Sequence, residues 1–375
     1  MRKVKLHINY NGKNISQSLM NYVLDFSYTD ATSGELDDLT IVVSDRDRVW
    51  QKSWMPAEGD KIAAAIEVFD WEKEGQVKKY PCGTFHVDSL SFSGAPDELR
   101  IQAASFPISS GVRQEKRTKV WEKVNFSVIA ADVAKRAGLK LVREVKTDPT
   151  YDRIEQQEKT DFGFLLDLAK QEGIACKVTA GKLVLFDESK FEKGKSVAEF
   201  ERDKDRIISY NFEWSADNCA YRACELTYEE SEKITVIDPP KEDPKGDPKG
   251  DPKDAPKRRK KRKKKGRKKT IKKTKKVTYT PPRAPKTGPI LRVKESAKSQ
   301  ADALRIAKNR LREKNKQANR ASMTVMGDIR IAAGVVITIK GFGKFDGKYI
   351  VDRVVHQVGG SGYVTNMELR KVLGW

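Results

Sequence analysis

The sequence predicts a mainly β protein with α+β character, in which two antiparallel β regions flank a small α/β domain and a disordered basic insertion interrupts the second region. Three observations support this fold class. Apolar and polar residues alternate in short runs near both ends of the chain. Two segments between these ends carry apolar residues at helical spacing instead. A proline- and lysine-rich stretch then precedes the last helix and strands.

The first β region is predicted at residues 1–115. Apolar and polar residues alternate over "KVKLHINY", so one face of this strand is apolar. Asn11-Gly12 follows, a dipeptide typical of a tight hairpin turn. Further strands are predicted at 60–69, 82–93 and 98–105. About six strands separated by regular turns indicate a barrel or a sandwich.

The small α/β domain is predicted at residues 116–204. In "NFSVIAADVAKRAGLKL" the apolar residues recur at helical spacing before a glycine stop. In "TDFGFLLDLAKQEGI" Thr160 or Asp161 caps a second helix and Gly173 ends it. A hairpin turning at Ala180-Gly181 is predicted to follow.

The second β region is predicted at residues 205–237 and 320–375. Its last three strands are expected in "GVVITIKG", "KYIVDRVVHQV" and "YVTNMELRKV". A basic helix is predicted within 290–319, where Ser299 and Asp302 approximate a capping box.

Residues 238–289 are predicted to form one low-complexity insertion. The unit D-P-K-G recurs within "DPPKEDPKGDPKGDPKDAP", and proline and glycine both oppose regular structure. An extended, mobile spacer is therefore expected.

The positive charge of the protein is concentrated in one run inside this insertion. The chain has 375 residues and a net charge of +21, and sixteen of the twenty residues of Lys257–Lys276 are Lys or Arg. Without them a net charge of about +5 remains on the other 355 residues, so the rest is nearly balanced. The candidate polyanion- or partner-binding residues are Lys257, Arg258, Arg259, Lys260, Lys261, Arg262, Lys263, Lys264, Lys265, Arg267, Lys268, Lys269, Lys272, Lys273, Lys275 and Lys276.

The run has two interpretations. In the first, it is a solvated loop. In the second, it binds a polyanion electrostatically, and the polyanion is DNA, an acidic protein segment or membrane phosphates. No aromatic residue interleaves it, so base stacking within it is not expected.

The sequence predicts no catalytic, cofactor-binding or metal-binding residues. The three histidines lack neighbours at ligand spacing, and the four cysteines are interpreted as reduced and mostly buried, with a metal site as the alternative. "GFGKFDG" precedes a strand and is predicted to be a strand-to-strand turn rather than a phosphate loop. Neither stable membrane insertion nor Sec export is expected.

One segment resembles a known family. "QQEKTDFGFLLDLAKQEGI" is similar to the Q-x-x-x-[ST]-D-x-x-F-L-x-x-L-A-x-x-x-G segment of the late control gene D family, the baseplate hubs of contractile phage tails and related injection machines. The matching residues are Gln156, Thr160, Asp161, Phe164, Leu165, Leu168, Ala169 and Gly173. Three other similar segments follow the family order: "GTFHVDSLSFSGAPDELRIQAASFPI", "SAKSQADALRIAKNRLREKNKQANRASMTVMGD" and "GFGKFDGKYIVDRVVHQVGGSGYVTNMELRKV".

This resemblance implies a structural, non-enzymatic hub with two tube-like β-barrels per chain. It implies a homotrimer that adapts a sixfold tail tube to a threefold central spike. The implied partners are a separate spike protein, the tube or a tube-initiator protein, and further the tape measure and wedge proteins. Assembly is expected in the bacterial cytoplasm and residence in the baseplate of a virion or tail-like particle.

Two functions from other classes stay open. One is sequence-independent nucleic-acid binding through residues 257–276. The other is cell-wall hydrolysis, which has no positive support in the sequence.

Overall fold

A computed structural model gives the fold for residues 2–106, 111–112, 114–204, 206–214, 221–236, 267–282, 284 and 286–375, with the backbone alone at 230–236 and 267–272. The chain forms two compact units, residues 1–221 with 309–375 and residues 222–308. Among the helices of these described ranges, none has the length and apolar character needed to cross a membrane.

Seven strands and a short helix form the first β domain. These are β1 (Lys3–Tyr10), β2 (Lys13–Asn14), α1 (Ser16–Met20), β3 (Val23–Ala31), β4 (Asp38–Ser44), β5 (Lys61–Phe69), β6 (Val77–Ser93) and β7 (Glu98–Ala104). They pair in the order β2-β1-β5-β6-β7-β4-β3, and every pairing is antiparallel. Leu6 of β1 and Phe26 of β3 belong to the same buried core although their strands are far apart in this order. The sheet therefore curls around its core.

The predicted hairpin after the first strand is confirmed. Asn11 and Gly12 have φ of 46° and 84°, the left-handed values that a two-residue hairpin turn requires. They join β1 to β2.

The middle domain contains the two predicted helices. Its elements are β8 (Lys116–Asn125), α2 (Phe126–Arg136), β9 (Lys140–Glu144), β10 (Thr150–Thr160), α3 (Asp161–Glu172), β11 (Ala175–Thr179), β12 (Lys182–Phe186) and α4 (Glu188–Phe191). The Thr160 hydroxyl accepts from the Gly163 N–H at 3.2 Å, so Thr160 caps α3, and Gly173 ends it with φ of 68°. Ile129 of α2 and Leu165 of α3 are fully buried in one core.

The rest of the chain supplies a second β domain and a separate three-stranded sheet. In order, the elements are β13 (Ser196–Glu201), β14 (Ile207–Trp214), β15 (Ala223–Val236), β16 (Arg267–Tyr279), β17 (Ile290–Lys294), α5 (Gln300–Asn315), β18 (Asn319–Met326), β19 (Val336–Lys340), β20 (Gly347–Gly359) and β21 (Gly362–Lys371). The second β domain pairs in the order β13-β19-β20-β21-β18-β14, and its core includes Met323, Tyr349 and Leu369. The three-stranded sheet has the order β16-β15-β17.

Several predicted boundaries are wrong. Residues 196–201, assigned to the middle domain, form β13 and pair with β19 of the second β domain. Strand β15, assigned to the second barrel with 205–237, pairs with β16 and β17 instead. The segment 290–319 begins with strand β17 before its helix starts at Gln300. Pattern alone identifies a strand but not its partner, which explains these errors.

The prediction of disorder is also wrong for part of the insertion. Residues 267–279 form β16, which pairs with β15 from Cys224↔Tyr279 to Val236↔Arg267. Threonine, isoleucine, valine and tyrosine are interspersed among paired lysines here, and such residues favour strands once a partner is available. The remainder of the insertion that precedes β16, residues 238–266, lies outside the described residues.

Candidate assembly surfaces

The two β domains share one strand order. The first domain has β1-β5-β6-β7-β4-β3 and the second has β13-β19-β20-β21-β18-β14, with corresponding strands in the same sequence along the chain. The four inner pairings are antiparallel in both. The outermost strand differs, since β1 runs antiparallel to β5 whereas β13 runs parallel to β19. The domains are therefore two versions of one topology.

Irregularities fall at corresponding places in both domains. Strand β6 shifts its register against β7 at Asp88, and β20 shifts against β21 at Asp352. Likewise, β3 shifts against β4 at Leu24, and β14 shifts against β18 at Ile208. Because bulges re-aim a strand locally, their coincidence extends the equivalence from strand order to residue register.

In both domains the same pair of backbone hydrogen bonds connects the long strand, β6 or β20, to the residues just before its neighbour, β5 or β19. The Gly59 N–H donates to the Val87 carbonyl at 2.9 Å, and the Val87 N–H donates to the Asp60 carbonyl at 2.9 Å. In the second domain Gly334 donates to Val351 at 2.8 Å, and Val351 donates to Val335 at 3.0 Å. Gly59 and Gly334 have φ of 82° and 88°, a conformation that favours glycine.

The family resemblance implied two similar β-barrels, but the repeat in the residues themselves was missed. "GTFHVD" at Gly83–Asp88 and "GKYIVD" at Gly347–Asp352 both read Gly-x-aromatic-x-Val-Asp. Gly83 and Gly347 have φ of 116° and 137°. A search for internal repeats would have aligned the two segments.

An internal joint connects the two β domains within the chain. It consists of β20 residues 353–359, which pair antiparallel with β3 residues 25–31. His356 lies opposite Tyr28, and their rings stack with centroids 6.1 Å apart. Tyr363 of β21 packs into the core of the first domain. Backbone pairing and shared apolar packing therefore fix the two domains against each other.

The hydrogen bonds of His356 define which of its ring nitrogens carries a proton. Nε2 lies 3.0 Å from the Ile331 carbonyl, which can only accept, so Nε2 carries the proton. Nδ1 then accepts from the Tyr363 hydroxyl at 2.8 Å. The side chain is fully buried, and burial lowers the pKa of His356 to about 4. His356 is thus a neutral structural residue rather than a catalytic base.

A buried ion-pair cluster attaches the middle domain to the internal joint. The Lys177 ammonium contacts Asp30 and lies 3.2 Å from Asp37. Asp30 also accepts from the Ala333 N–H at 2.8 Å. Burial raises the pKa of Asp37 to about 6, although Lys177 opposes this shift. One lysine of the middle domain therefore contacts acids at both ends of the β3–β4 turn.

A second buried cluster surrounds Arg370 of β21. Its guanidinium lies 2.7 Å from Glu192 and 2.9 Å from Asp352, the residue at the β20 bulge. Arg312 shares Glu192 at 2.7 Å. Burial raises the pKa of Asp352 to about 6 against the opposing charge of Arg370. This cluster joins the second β domain to the segment that follows α4.

Strands β14 and β6 each have an edge without a strand partner among the described residues. Strand β14 pairs with β18 alone, so its other edge is open. Strand β6 pairs with β5 only up to His86, so residues 89–93 have an open edge on that side. The side chains of Tyr210 and Trp214 on β14 are 45% and 62% exposed, and Phe92 on β6 is 47% exposed. Exposed aromatic residues on open edges are typical of assembly surfaces.

Comparison with known proteins agrees with this topology. The family model described as phage tail baseplate hub (GPD) matches residues 98–362, which is more than half of the chain. The chain belongs to the phage tail baseplate hub family. The resemblance to the late control gene D family is confirmed.

Relatives of this hub-family chain include phage and prophage proteins. The probable baseplate hub protein of Escherichia phage 186 is 28% identical over 176 residues, which are 46% of this chain and 42% of that protein. The alignment thus spans less than half the length of this curated relative. A 43 kDa tail protein of prophage MuSo2 from Shewanella oneidensis has a TM-score of 0.64 at 12% identity, over 98% of both chains. A tail protein from Neisseria meningitidis MC58 has a TM-score of 0.64 at 13% identity, over 98% of this chain and 96% of that chain. These two likenesses confirm the fold.

The predicted basic residues of the hub-family chain are divided between two parts. Lys257 to Lys265 lie outside the described residues, whereas Arg267 to Lys276 belong to β16. Strand β16 is an edge strand of its sheet, and Lys273, Lys275 and Lys276 are exposed. The Lys276 ammonium lies 3.2 Å from the Glu225 carboxylate, so Glu225 of β15 neutralises part of this charge.

The other residues singled out in the sequence of the hub-family chain are a histidine, a glycine-rich turn and the cysteines, and those in the described residues have structural roles. His7 contacts Glu67 at 2.8 Å, and the 3-10 turn Gly343–Phe345 joins β19 to β20 as predicted. Cys82, Cys176 and Cys224 are buried and form no disulfide, and Cys219 lies outside the described residues. Burial raises the pKa of the Cys176 thiol to about 12, which makes it unreactive. The described part of the chain contains no cluster of three or more potential metal ligands.

Proposed function

We propose that this chain is the central hub of a tail baseplate and that three copies join a sixfold tail tube to a threefold spike. The observation that carries the proposal is the duplicated topology, with its matching bulges and hydrogen bonds. Three chains with two similar domains each offer six similar positions around one axis. The middle domain and the three-stranded sheet occur once per chain, which leaves true threefold symmetry.

The mechanism of such a hub is geometric. One face of the ring meets a sixfold partner through the repeated β domains, and the other meets a threefold partner through features present once per chain. The internal joint and the Lys177 cluster hold the two domains in a fixed relation, as a symmetry adaptor requires. Strand edges and loops supply the contacts.

The expected partners are a central spike protein and a tube or tube-initiator protein. Tape measure and baseplate wedge proteins are further candidates. The hub is non-enzymatic, assembles in the bacterial cytoplasm and then resides in the baseplate of a virion or tail-like particle. No stable membrane insertion is part of this proposal.

Mass measurement tests the proposal. The full-length chain is purified alone and together with the spike and tube proteins encoded beside it, and each sample is weighed by light scattering. The proposal expects a complex with three copies of this chain per spike trimer. A chain that stays monomeric with both partners present would contradict it. Peptidoglycan clearance by the purified chain would favour a hydrolase instead.

A second candidate function is sequence-independent nucleic-acid binding. The observation in its favour is the row of exposed lysines on edge strand β16. Such binding would weaken steeply with salt, because phosphate contacts release counterions. It is compatible with the hub role, and a chain that lacks residues 237–266 separates the two.

A further inference from the structure

The internal joint shows how one β domain pairs with the next through a strand edge. Strand β20 of the second domain offers residues 353–359, and β3 of the first domain pairs with them. The joint is heterologous, because one domain contributes its long strand and the other contributes its edge strand. A contact of this kind repeats in one direction and closes only as a ring.

The open edges are the counterparts of the two sides of this joint. By strand order and bulge position, β6 corresponds to β20, so Phe92 corresponds to His356 and Leu90 to Val354. In the same way β14 corresponds to β3, so Phe212 takes the place of Tyr28. Each domain therefore carries both halves of a joint, and the chain uses one half of each.

Burial differs sharply between corresponding residues. Phe26 of β3 is fully buried, whereas Tyr210 at the corresponding position of β14 is 45% exposed. His356 is fully buried, whereas Phe92 is 47% exposed. The exposed residues, Tyr210 and Phe92, are nevertheless aromatic like their buried counterparts. A strand that keeps the character of a covered strand is expected to be covered in the assembled protein.

We propose that the occupant of these edges is a second copy of this chain. Residues 90–93 of β6 in one protomer pair antiparallel with residues 211–214 of β14 in the next. The internal joint sets the register, and the resulting pairs are Leu90↔Trp214, Ser91↔Glu213, Phe92↔Phe212 and Ser93↔Asn211. This inference rests on the proposed function and specifies the contact that would hold the trimer together.

The proposed pairs have complementary chemistry. Phe92 faces Phe212 and Leu90 faces Trp214, so apolar groups lie opposite each other in a cross-strand arrangement that stabilises sheets. Ser91 and Ser93 face Glu213 and Asn211, which keeps polar groups together. A shift by one residue would place Phe92 opposite Glu213 or Asn211, which disfavours neighbouring registers.

The pairing also makes the sheet continuous from chain to chain. Each protomer contributes the eight strands β14-β18-β21-β20-β3-β4-β7-β6 between its two open edges. Joining β6 to β14 of the next protomer satisfies the backbone groups at both edges. The pairing covers these two edges, which would otherwise be available to other chains.

Disulfide trapping tests the register. The double variant Ser91→Cys with Glu213→Cys is compared with the matched control Ser91→Cys with Asn211→Cys. Directly opposite Cα atoms lie roughly 4.5–5.5 Å apart, within the span of a disulfide. Diagonal neighbours lie roughly 7–8 Å apart, at or beyond that limit. The full-length variants are oxidised in solution and in the tail particles that contain them, and single-cysteine variants report any reaction with native thiols.

The expected result is a covalent trimer from the first variant and at least tenfold less from the control. Rings that form without the 91–213 disulfide, or that crosslink better at 91–211, would overturn the register while leaving the hub function intact. A crosslink to another tail protein would also overturn it. The absence of any trimer would overturn the proposed function itself.

Substitution of the exposed anchors gives an independent readout. Phe92→Glu and Trp214→Glu each place a charge in the proposed contact but leave the isolated protomer folded, because the two residues are 47% and 62% exposed. At least a tenfold higher protein concentration should then be needed for half-assembly, with an unchanged melting temperature. Met55→Glu is the control, since Met55 is 56% exposed but lies in the loop between β4 and β5. Equal assembly of all three variants would contradict the inference.

Discussion

The imidazole of His356 stacks on the phenol ring of Tyr28 at the internal joint, with ring planes 8° apart. The two residues lie on different β domains and are separated along the chain by the whole middle domain. Since His356 is buried and neutral, the joint between the domains contains a group that opposes protonation.

Acid should therefore weaken the fold through His356. Its folded-state pKa of about 4 lies below the ordinary value of 6.5, so the unfolded chain binds the proton first. The stability contributed by the neutral ring is present above pH 6.5 and lost as the pH falls towards 4. The full effect is on the order of 3 kcal/mol.

Urea unfolding of the wild type and of His356→Gln at pH 7 and pH 4.5 checks this prediction. Glutamine can keep both hydrogen bonds but does not titrate, so the variant should lose less stability between the two pH values. Asp37 and Asp352 have raised pKa values and act in the opposite sense, but equally in both proteins. His86→Gln, at a partly exposed histidine, is the control. Identical pH dependence of wild type and His356→Gln would count against this role.

Gly327 should tolerate no side chain. A Cβ atom there would lie 2.1 Å from the ring of Tyr363, which is buried in the core of the first domain and bonded to His356. Gly327→Ala should cost about 1–3 kcal/mol of unfolding free energy. Gly360→Ala is the matched control, since a Cβ there meets nothing within 4 Å. Calorimetry that finds equal melting temperatures for the two variants would refute the prediction.

Arg370→Ala should be strongly destabilising. The substitution removes the buried guanidinium that pairs with both Glu192 and Asp352 and leaves Glu192 with Arg312 alone, and breaking a buried ion pair costs about 3–5 kcal/mol. Lys340→Ala, which removes an exposed ion pair with Glu199 in the same domain, should leave the urea midpoint nearly unchanged. A similar midpoint for both variants would show that the buried cluster contributes little.

The basic segment should be dispensable for ring formation. Val236 and Arg267 are the last pair of the β15–β16 ladder, so an Asn-Gly turn can replace residues 237–266 without removing either strand. The shortened chain should form the same trimer, and its affinity for DNA and the slope of that affinity against salt should fall if Lys257–Lys265 contact phosphates. Loss of the trimer would assign the segment a role in assembly.

The sequence predicted the positions of the helices and strands better than it predicted which strands pair with each other. Alternation located β19, β20 and β21, and the caps at Thr160 and Gly173 located α3, because these signals are local. Strand β16 was missed, because a lysine-rich strand depends on pairing with β15.

The assembly surfaces were harder to predict from the residues. Nothing in "IISYNFEW" distinguishes an open strand from a covered one, and the corresponding "VLDFSYTD" has the same alternation yet is covered by β20. The difference arises from strand pairing. The Gly-x-aromatic-x-Val-Asp repeat carried enough information to reveal the duplication, but its two copies lie far apart in the sequence.

Electron cryomicroscopy of the assembled ring is the most direct measurement of the central claim. The account predicts three protomers in which the first and second β domains alternate around the axis, so that projections show six similar lobes and threefold averaging resolves them into two types. A ring in which one β domain lies outside the circle, or one with a number of protomers other than three, would contradict the account.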